Sequence, residues 1–162
     1  MSSSPCTYLI DTCAAVTMLR EPELHHGWER RLTRGTVAMC PVILLEMLVS
    51  ARSSVDRVAL QEDLDTLFVP LFSADFADDT ALAFQEAITE HSWQQSPRAV
   101  DLLCAANAAL FGLQTLSLDT DFVRISDATG LPNTRIHCAE DPSTRPRFWE
   151  STTPPPAAAA AA

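Results

Sequence analysis

Lysine is absent from this 162-residue chain, and all eleven basic residues are arginine. The absence excludes chemistry that depends on a lysine side chain, which includes the Walker-type phosphate loop, Schiff-base catalysis and a lysine general base. Contact with phosphate groups stays possible, because the planar guanidinium of arginine can donate two parallel hydrogen bonds.

The cysteines form no recognisable framework. They are odd in number, scattered along the chain and never spaced as C-x-x-C: Cys6, Cys13, Cys40, Cys104 and Cys138. This pattern predicts reduced thiols rather than a disulfide scaffold or a zinc site. The chain also lacks a secretory signal pattern at its N-terminus and any apolar run long enough to cross a membrane. We therefore expect a cytoplasmic protein that does not contact the membrane.

The formal net charge is −10. An acidic chain is a poor general match for nucleic acid, because phosphate contacts require a basic surface. A metal-binding cluster, however, needs acidic residues for its own sake, and bound cations would neutralise part of the charge. The charge therefore leaves two classes open: a metal-dependent enzyme, and a non-catalytic interaction module that binds a partner protein or RNA.

Short β-rich runs alternate with longer helical patterns. We predict strands at 7–10, 36–40, 67–72, 114–118 and 134–138, and helices at 14–19, 23–33, 41–53, 55–66, 74–90, 98–112 and from about 119 to Gly130. At the start of the helix predicted over 98–112, Ser96 is expected to be the N-cap and Pro97 the first helical residue. This alternation indicates an α/β domain, a three-layer α/β/α sandwich with a mainly parallel central sheet.

One domain accounts for most of the chain. A length of 162 residues and a hydrophobic content of 47% are typical of a single hydrophobic core. We place this domain at residues 1–140. Residues 141–162 are rich in proline and alanine and end in PPPAAAAAA, so we expect them to form a flexible tail.

Three aspartates follow predicted strands. Asp11 comes directly after the first strand, Asp119 after the fourth, and Asp121 two residues later. Ligands of open parallel sheets bind outside the carboxyl ends of the strands, so these positions are candidates for chemistry. Each aspartate could instead serve only as the N-cap of the helix that follows.

Two further acids lie in apolar helical patterns. Glu46 shares a narrow polar stripe with Ser50 and Ser53 in a helix that is otherwise apolar, and Asp101 is surrounded by leucine, cysteine and alanine. A carboxylate on a largely buried helix either reaches solvent or lines a cleft where a cation compensates it. Both interpretations remain open for Glu46.

Convergence of these acids would require a cation. Two carboxylates roughly 5 Å apart repel each other by about 3 kcal/mol at an effective dielectric constant of about 20. Oxygen ligands of this kind suit Mg²⁺ or Mn²⁺. Such ions can activate water for attack on a phosphodiester.

Three segments together resemble a known family. They are YLIDTCAAVTMLR at 8–20, CPVILLEMLVSARS at 40–53 and RAVDLLCAANAALFGLQTLSLDTDFVRISDATGLP at 98–132. They resemble the PIN-domain ribonucleases, in particular the VapC toxins of bacterial toxin–antitoxin pairs. The resemblance implies a PIN-like fold and hydrolysis of RNA with Mg²⁺ or Mn²⁺. It also implies a homodimer that is silenced by a cognate antitoxin protein.

The resemblance also implies roles for individual residues. Asp11, Glu46, Asp101 and Asp119 would be catalytic and bind the metal, with Asp121 as an additional metal ligand. Thr12 and Cys13 are candidates for supporting contacts. Asn107 is a further candidate, although a satisfied core amide is the interpretation that its apolar surroundings favour. Independently of the resemblance, Arg98 and Arg124 are candidates for contact with the phosphate, because they are close to the acids in the sequence. Cys13 stands where the family usually has a serine, and Asn107 where it usually has a threonine.

Two other enzyme classes fit the motifs less well. A haloacid-dehalogenase-type phosphotransferase requires D-x-D at the first strand and a lysine, whereas the third position here is Cys13 and lysine is absent. A cysteine phosphatase requires C-x5-R, but six residues separate Cys13 from Arg20. The non-catalytic interaction module remains the alternative to the nuclease.

Overall fold

The computed structural model describes residues 6–91 and 97–136, which form a parallel sheet flanked by helices. The strands are β1 (Tyr8–Ile10), β2 (Val37–Met39), β3 (Val69–Pro70), β4 (Gln114–Ser117) and β5 (Asn133–Arg135). The helices are α1 (Thr12–Arg20), α2 (Pro22–Thr33), α3 (Pro41–Leu48), α4 (Ser54–Leu67), α5 (Ala77–Glu90), α6 (Ala99–Leu110) and α7 (Thr120–Thr129).

The strand order is β3-β2-β1-β4-β5, and each of these neighbouring pairs is parallel. Helix α1 packs against α2 and α3, whereas α5, α6 and α7 pack on one another. The predicted three-layer α/β/α architecture is therefore confirmed. Because parallel connections return to the same end of the sheet, residues that follow β1 and β4 meet at one edge.

The central strands lie in the core. Leu9 and Ile10 of β1 and Leu116 of β4 have no exposed surface. Strands covered by helices on both faces are apolar on both sides, which explains the continuous apolar runs in the sequence. Tyr8 packs edge-on against Trp28 of α2, with 5.2 Å between the ring centroids. This contact ties the helix pair α1–α2 to the sheet.

The predicted helix over 41–53 is wrong in its second half. Helix α3 ends at Leu48, and the side chain of Ser53 accepts a hydrogen bond from the backbone N–H of Asp56 at 3.1 Å. Ser53 therefore begins α4 as its N-cap, a role that serine fills well. Glu46 and Ser53 thus lie on different elements, so the polar stripe does not exist. The helix is also less buried than expected, since Leu45 is 63% exposed.

Other predicted boundaries shift as well, and three of the shifts concern β3, α5 and α6. The strand expected at 67–72 contains only Val69–Pro70, because α4 continues to Leu67. The N–H of Leu71 still donates to the carbonyl of Met39 at 3.0 Å, after which the pairing ends. Helix α5 begins at Ala77 rather than at 74, since Phe76 before it is left-handed with φ of 64°. Helix α6 begins at Ala99, so Pro97 is not its first residue.

Some of the sequence predictions concern residues outside the two described ranges. Ser96, the end of the last predicted strand and the predicted tail at 141–162 lie outside the described residues. Within 6–91 and 97–136, no helix is both long and apolar enough to span a membrane.

Candidate active site

Strands β1 and β4 bring two of the predicted acids to the same edge of the sheet. Ile10 pairs with Leu116, and the backbone N–H of Asp11 donates to the carbonyl of Leu116 at 3.0 Å. Asp119 comes shortly after the end of β4 and is the N-cap of α7. The parallel register therefore places Asp11 and Asp119 beside each other, as the strand pattern predicts.

Asp11 is a buried carboxylate, with only 3% of its surface exposed. Its Oδ1 accepts a hydrogen bond from the N–H of Ala14 at 2.7 Å, so it also caps α1. The pKa of Asp11 is raised from 3.8 to about 7, and burial is the largest cause. Repulsion from Asp101 and Asp119 contributes to this rise, whereas the Ala14 hydrogen bond and the positive charge of Arg98 oppose it. Four charged groups thus influence one another at this edge.

Asp101 lies in the first turn of α6, and its side chain is 4% exposed. Arg98 holds it through three hydrogen bonds: its backbone N–H donates to Oδ2 at 3.3 Å, Nε to Oδ2 at 3.1 Å and Nη2 to Oδ1 at 3.1 Å. Burial raises the pKa of Asp101, whereas the hydrogen bonds and charge of Arg98 lower it. Both carboxylate oxygens of Asp101 therefore bind the same arginine.

Glu46 reaches the site from α3. The hydroxyl of Thr12 donates a hydrogen bond to its Oε2, and Arg98 Nη1 lies 3.5 Å from its Oε1. Arg98 therefore links Glu46 of α3 to Asp101 of α6. Thr12 links the same glutamate to the first turn of α1, directly after Asp11.

The acids at the start of α7 have partners of their own. Oδ1 of Asp119 accepts from the backbone N–H of Asp121 at 3.0 Å, and Oδ1 of Asp121 lies 2.9 Å from Nη1 of Arg124. The capping role considered for Asp119 is therefore present, but it does not separate this residue from the other acids, since its charge acts on both Asp11 and Asp101. Asp121 pairs with Arg124 along its own helix.

The remaining candidates differ in their relation to the acids. Partial desolvation, followed by the charges of Asp11 and Asp119, raises the pKa of the Cys13 thiol, although the residue is exposed. Asn107 accepts from the N–H of Ala74 at 2.7 Å and donates to the carbonyl of Leu103 at 2.8 Å. The first contact supports the loop before α5, and the second stays within α6. This is the arrangement of a satisfied core amide, and neither partner is one of the acids.

The carboxylate oxygens of the acids are suitable ligands for a hard cation such as Mg²⁺. Their positions, however, do not form a metal-binding site. Across residues 6–91 and 97–136, no three His, Cys, Asp or Glu side chains are arranged so that they could hold a metal ion. The carboxylate oxygens instead bind Arg98, Thr12 and backbone N–H groups. The donor set is nevertheless all oxygen, and a divalent cation would offset the repulsion that raises the pKa of Asp11.

The sequence did not indicate two contacts of the site. The bond between Thr12 and Glu46 and the ion pair between Arg98 and Glu46 join residues that are 34 and 52 positions apart. Arg98 and Asp101, by contrast, are three residues apart at the start of one helix, and this spacing predicts contact between their side chains. No local pattern could indicate that the same arginine also contacts α3.

A family model described as "PIN domain" matches residues 8–128 of the chain. This match covers well over half of the sequence, and the chain belongs to the PIN-domain family. Within that family its similarity is to VapC proteins, which confirms the resemblance seen in the motifs. "Ribonuclease VapC21" from Mycobacterium tuberculosis is 33% identical over 125 residues, which cover 77% of this chain and 90% of the relative.

Other comparisons agree. "Ribonuclease VapC2" from the same organism is 31% identical over 130 residues, which cover 80% of this chain and 92% of that protein. Among solved structures, VapBC-1 from nontypeable Haemophilus influenzae matches with a TM-score of 0.65. The match covers 80% of this chain and 97% of that chain at 14% identity, so it supports the fold alone.

Proposed function

We propose that this protein is a metal-dependent endoribonuclease, the toxin of a toxin–antitoxin pair. The observation that carries the proposal is the convergence of the charges of Asp11, Asp101 and Asp119 at one edge of the sheet, with Asp11 buried and its pKa raised to about 7. Strongly perturbed carboxylates in a cluster are typical of functional sites. The names of the relatives VapC21 and VapC2 support RNA as the substrate.

The metal would be Mg²⁺ or Mn²⁺, held by Asp11, Glu46, Asp101 and Asp119, with Asp121 as an additional ligand. These ions prefer carboxylate oxygen and do not require sulfur or imidazole. When bound, the ion supplies positive charge that lowers the pKa of an attacking water and stabilises the charge on the phosphate in the transition state.

Other side chains would orient the acids and the substrate. Thr12 donates to Glu46 and thereby fixes the rotation of its carboxylate. Cys13 lies exposed beside Asp11, where its thiol replaces the serine hydroxyl usual in the family. Arg98 and Arg124 are proposed to contact the phosphate, since both are partly exposed and each already pairs with an acid of the cluster.

The proposed partners follow from the relatives. The solved structures similar in fold include a toxin–antitoxin complex and a member of the VapBC family of toxin–antitoxin systems, and we propose that this chain also binds a cognate antitoxin protein. A homodimer, which the resemblance to the family implies, is part of the same proposal. A cytoplasmic location, expected from the sequence, remains part of the proposal.

The test measures RNA cleavage by the full-length protein in Mn²⁺. A second sample contains the same protein in excess chelator, and a third contains the variant Asp11→Asn in Mn²⁺. We expect cleavage in Mn²⁺, loss of cleavage in chelator, and a decrease of at least about a hundredfold for Asp11→Asn. The products should carry 5′-phosphates, which a phosphate-dependent exonuclease would detect. Equal cleavage by the wild type and Asp11→Asn would reveal a contaminating nuclease. Bound but intact RNA across diverse substrates would favour the non-catalytic module.

A further inference from the structure

Arg98 uses its whole guanidinium group to join acids from two helices. Nε and Nη2 each donate to Asp101 at 3.1 Å, and Nη1 lies 3.5 Å from Oε1 of Glu46. All three guanidinium nitrogens therefore face carboxylate oxygens. The same positive charge also lowers the pKa of Asp11, so it acts on three of the acids.

The oxygens that bind Arg98 belong to residues proposed to hold the metal. A divalent cation and a guanidinium repel each other, and a carboxylate oxygen that donates its electrons to a metal ion is a poorer acceptor for arginine. Binding of an ion at Glu46 and Asp101 would thus compete with Arg98. Consistent with this competition, no set of three potential ligands within the described ranges is already arranged to hold an ion.

The side chain of Arg98 is more exposed than those of the two acids that it joins. The side chain of Arg98 is 56% exposed, while those of Glu46 and Asp101 are 26% and 4% exposed. Arg98 is the N-cap of α6, so it lies at the end of the helix, and its flexible side chain can extend into solvent. Asp101 lies inside the first turn of α6, and its position is determined by the packing of the helix.

We infer that Arg98 is an internal counter-ion, which stabilises the acids in the metal-free protein and leaves them when a divalent metal binds. The inference rests on the proposed function, since it requires a metal at these acids. Arg98 then has opposite effects on the stability of the metal-free protein and on its affinity for metal. Arg98 keeps the metal-free site folded against carboxylate repulsion, and it weakens the affinity of the same site for metal.

Mn²⁺ binding to the full-length protein tests the inference through Arg98→Gln. Isothermal titration calorimetry should show that this variant binds Mn²⁺ about tenfold more tightly than the wild type, because the metal no longer displaces an ion pair. In excess chelator the variant should unfold at a lower temperature than the wild type. Saturating Mn²⁺ should reduce or reverse that difference, since the ion then supplies the missing positive charge.

Two further variants distinguish the contacts of the Arg98 guanidinium from the effect of its positive charge alone. Arg57→Gln removes the same charge from an exposed position on α4, and it should leave Mn²⁺ affinity within about twofold of the wild type. Arg98→Lys keeps the charge but has a single nitrogen, which cannot form the three contacts of the guanidinium. This variant should be close to the wild type in stability and bind Mn²⁺ with an intermediate affinity.

Each outcome is decisive. Equal Mn²⁺ affinity for the wild type, Arg98→Gln and Arg98→Lys would overturn the inference while leaving the proposed nuclease intact. Weaker Mn²⁺ binding by Arg98→Gln would overturn it as well, because Arg98 would then support the metal site rather than compete with the ion. Absence of Mn²⁺ binding by all three proteins would remove the metal and the proposed function together.

Discussion

Replacement of Asp11 by asparagine should stabilise the metal-free protein at neutral and alkaline pH. The change removes a buried negative charge near Asp101 and Asp119 but keeps a side-chain carbonyl that can accept from the N–H of Ala14. The cap of α1 is therefore preserved. The substitution removes the free-energy cost of ionising a carboxylate that is 3% exposed and lies near two like charges.

The raised pKa sets the sign and the size of the effect. An aspartate that ionises near 3.8 in the unfolded chain and at about 7 in the folded protein binds a proton only in the folded state between these values. The free energy of unfolding of the wild type therefore falls as pH rises from about 4 to about 7, and it is constant above. The interval is roughly three pH units, and each corresponds to about 1.4 kcal/mol, so the full effect is on the order of 4 kcal/mol.

Urea denaturation in excess chelator, followed by far-UV circular dichroism at pH 5, 6, 7 and 8, measures this effect. The stability of Asp11→Asn relative to the wild type should increase by about 3 kcal/mol between pH 5 and pH 8, because about two pH units of the interval lie in this range. Asp63→Asn, at an exposed position of α4, should give a profile parallel to the wild type. A pH-independent difference between Asp11→Asn and the wild type would refute the argument.

Two other substitutions test single hydrogen bonds. Thr12→Val removes the hydroxyl that binds Glu46, and kcat/KM for RNA cleavage should fall roughly tenfold, since a hydrogen bond to a charged group contributes about 1.5 kcal/mol. Thr12→Ser should keep most of the activity, and equal loss in both variants would exclude the hydroxyl as the cause. Asn107→Leu leaves the N–H of Ala74 and the carbonyl of Leu103 without their partner, and urea denaturation should show a loss of about 2–3 kcal/mol. Asn107→Thr keeps a hydroxyl that can donate to the carbonyl of Leu103 and should lose less, so equal losses would contradict this account.

Helix limits show where local sequence rules compete. The pattern over 41–53 is apolar enough to predict one helix, but Ser53 is also a good N-cap and Asp56 supplies the N–H that its side chain binds. The chain follows the capping signal and divides into α3 and α4. A similar conflict arises at Phe76, where a positive φ delays the start of α5. Neither choice can be made from hydrophobic periodicity, because periodicity does not report backbone angles.

The sequence alone determined the parallel α/β architecture and the placement of Asp11 and Asp119, because strand alternation and the position of an acid after a strand are local properties. It also indicated that Asp101 and Glu46 interrupt apolar helices. Tertiary structure alone decided that Glu46 meets Thr12 and Arg98, since those contacts depend on how α3, α1 and α6 pack. It also decided that Asn107 supports a loop and that one arginine joins two acids, because side-chain partners across long separations are set by packing and leave no periodic trace.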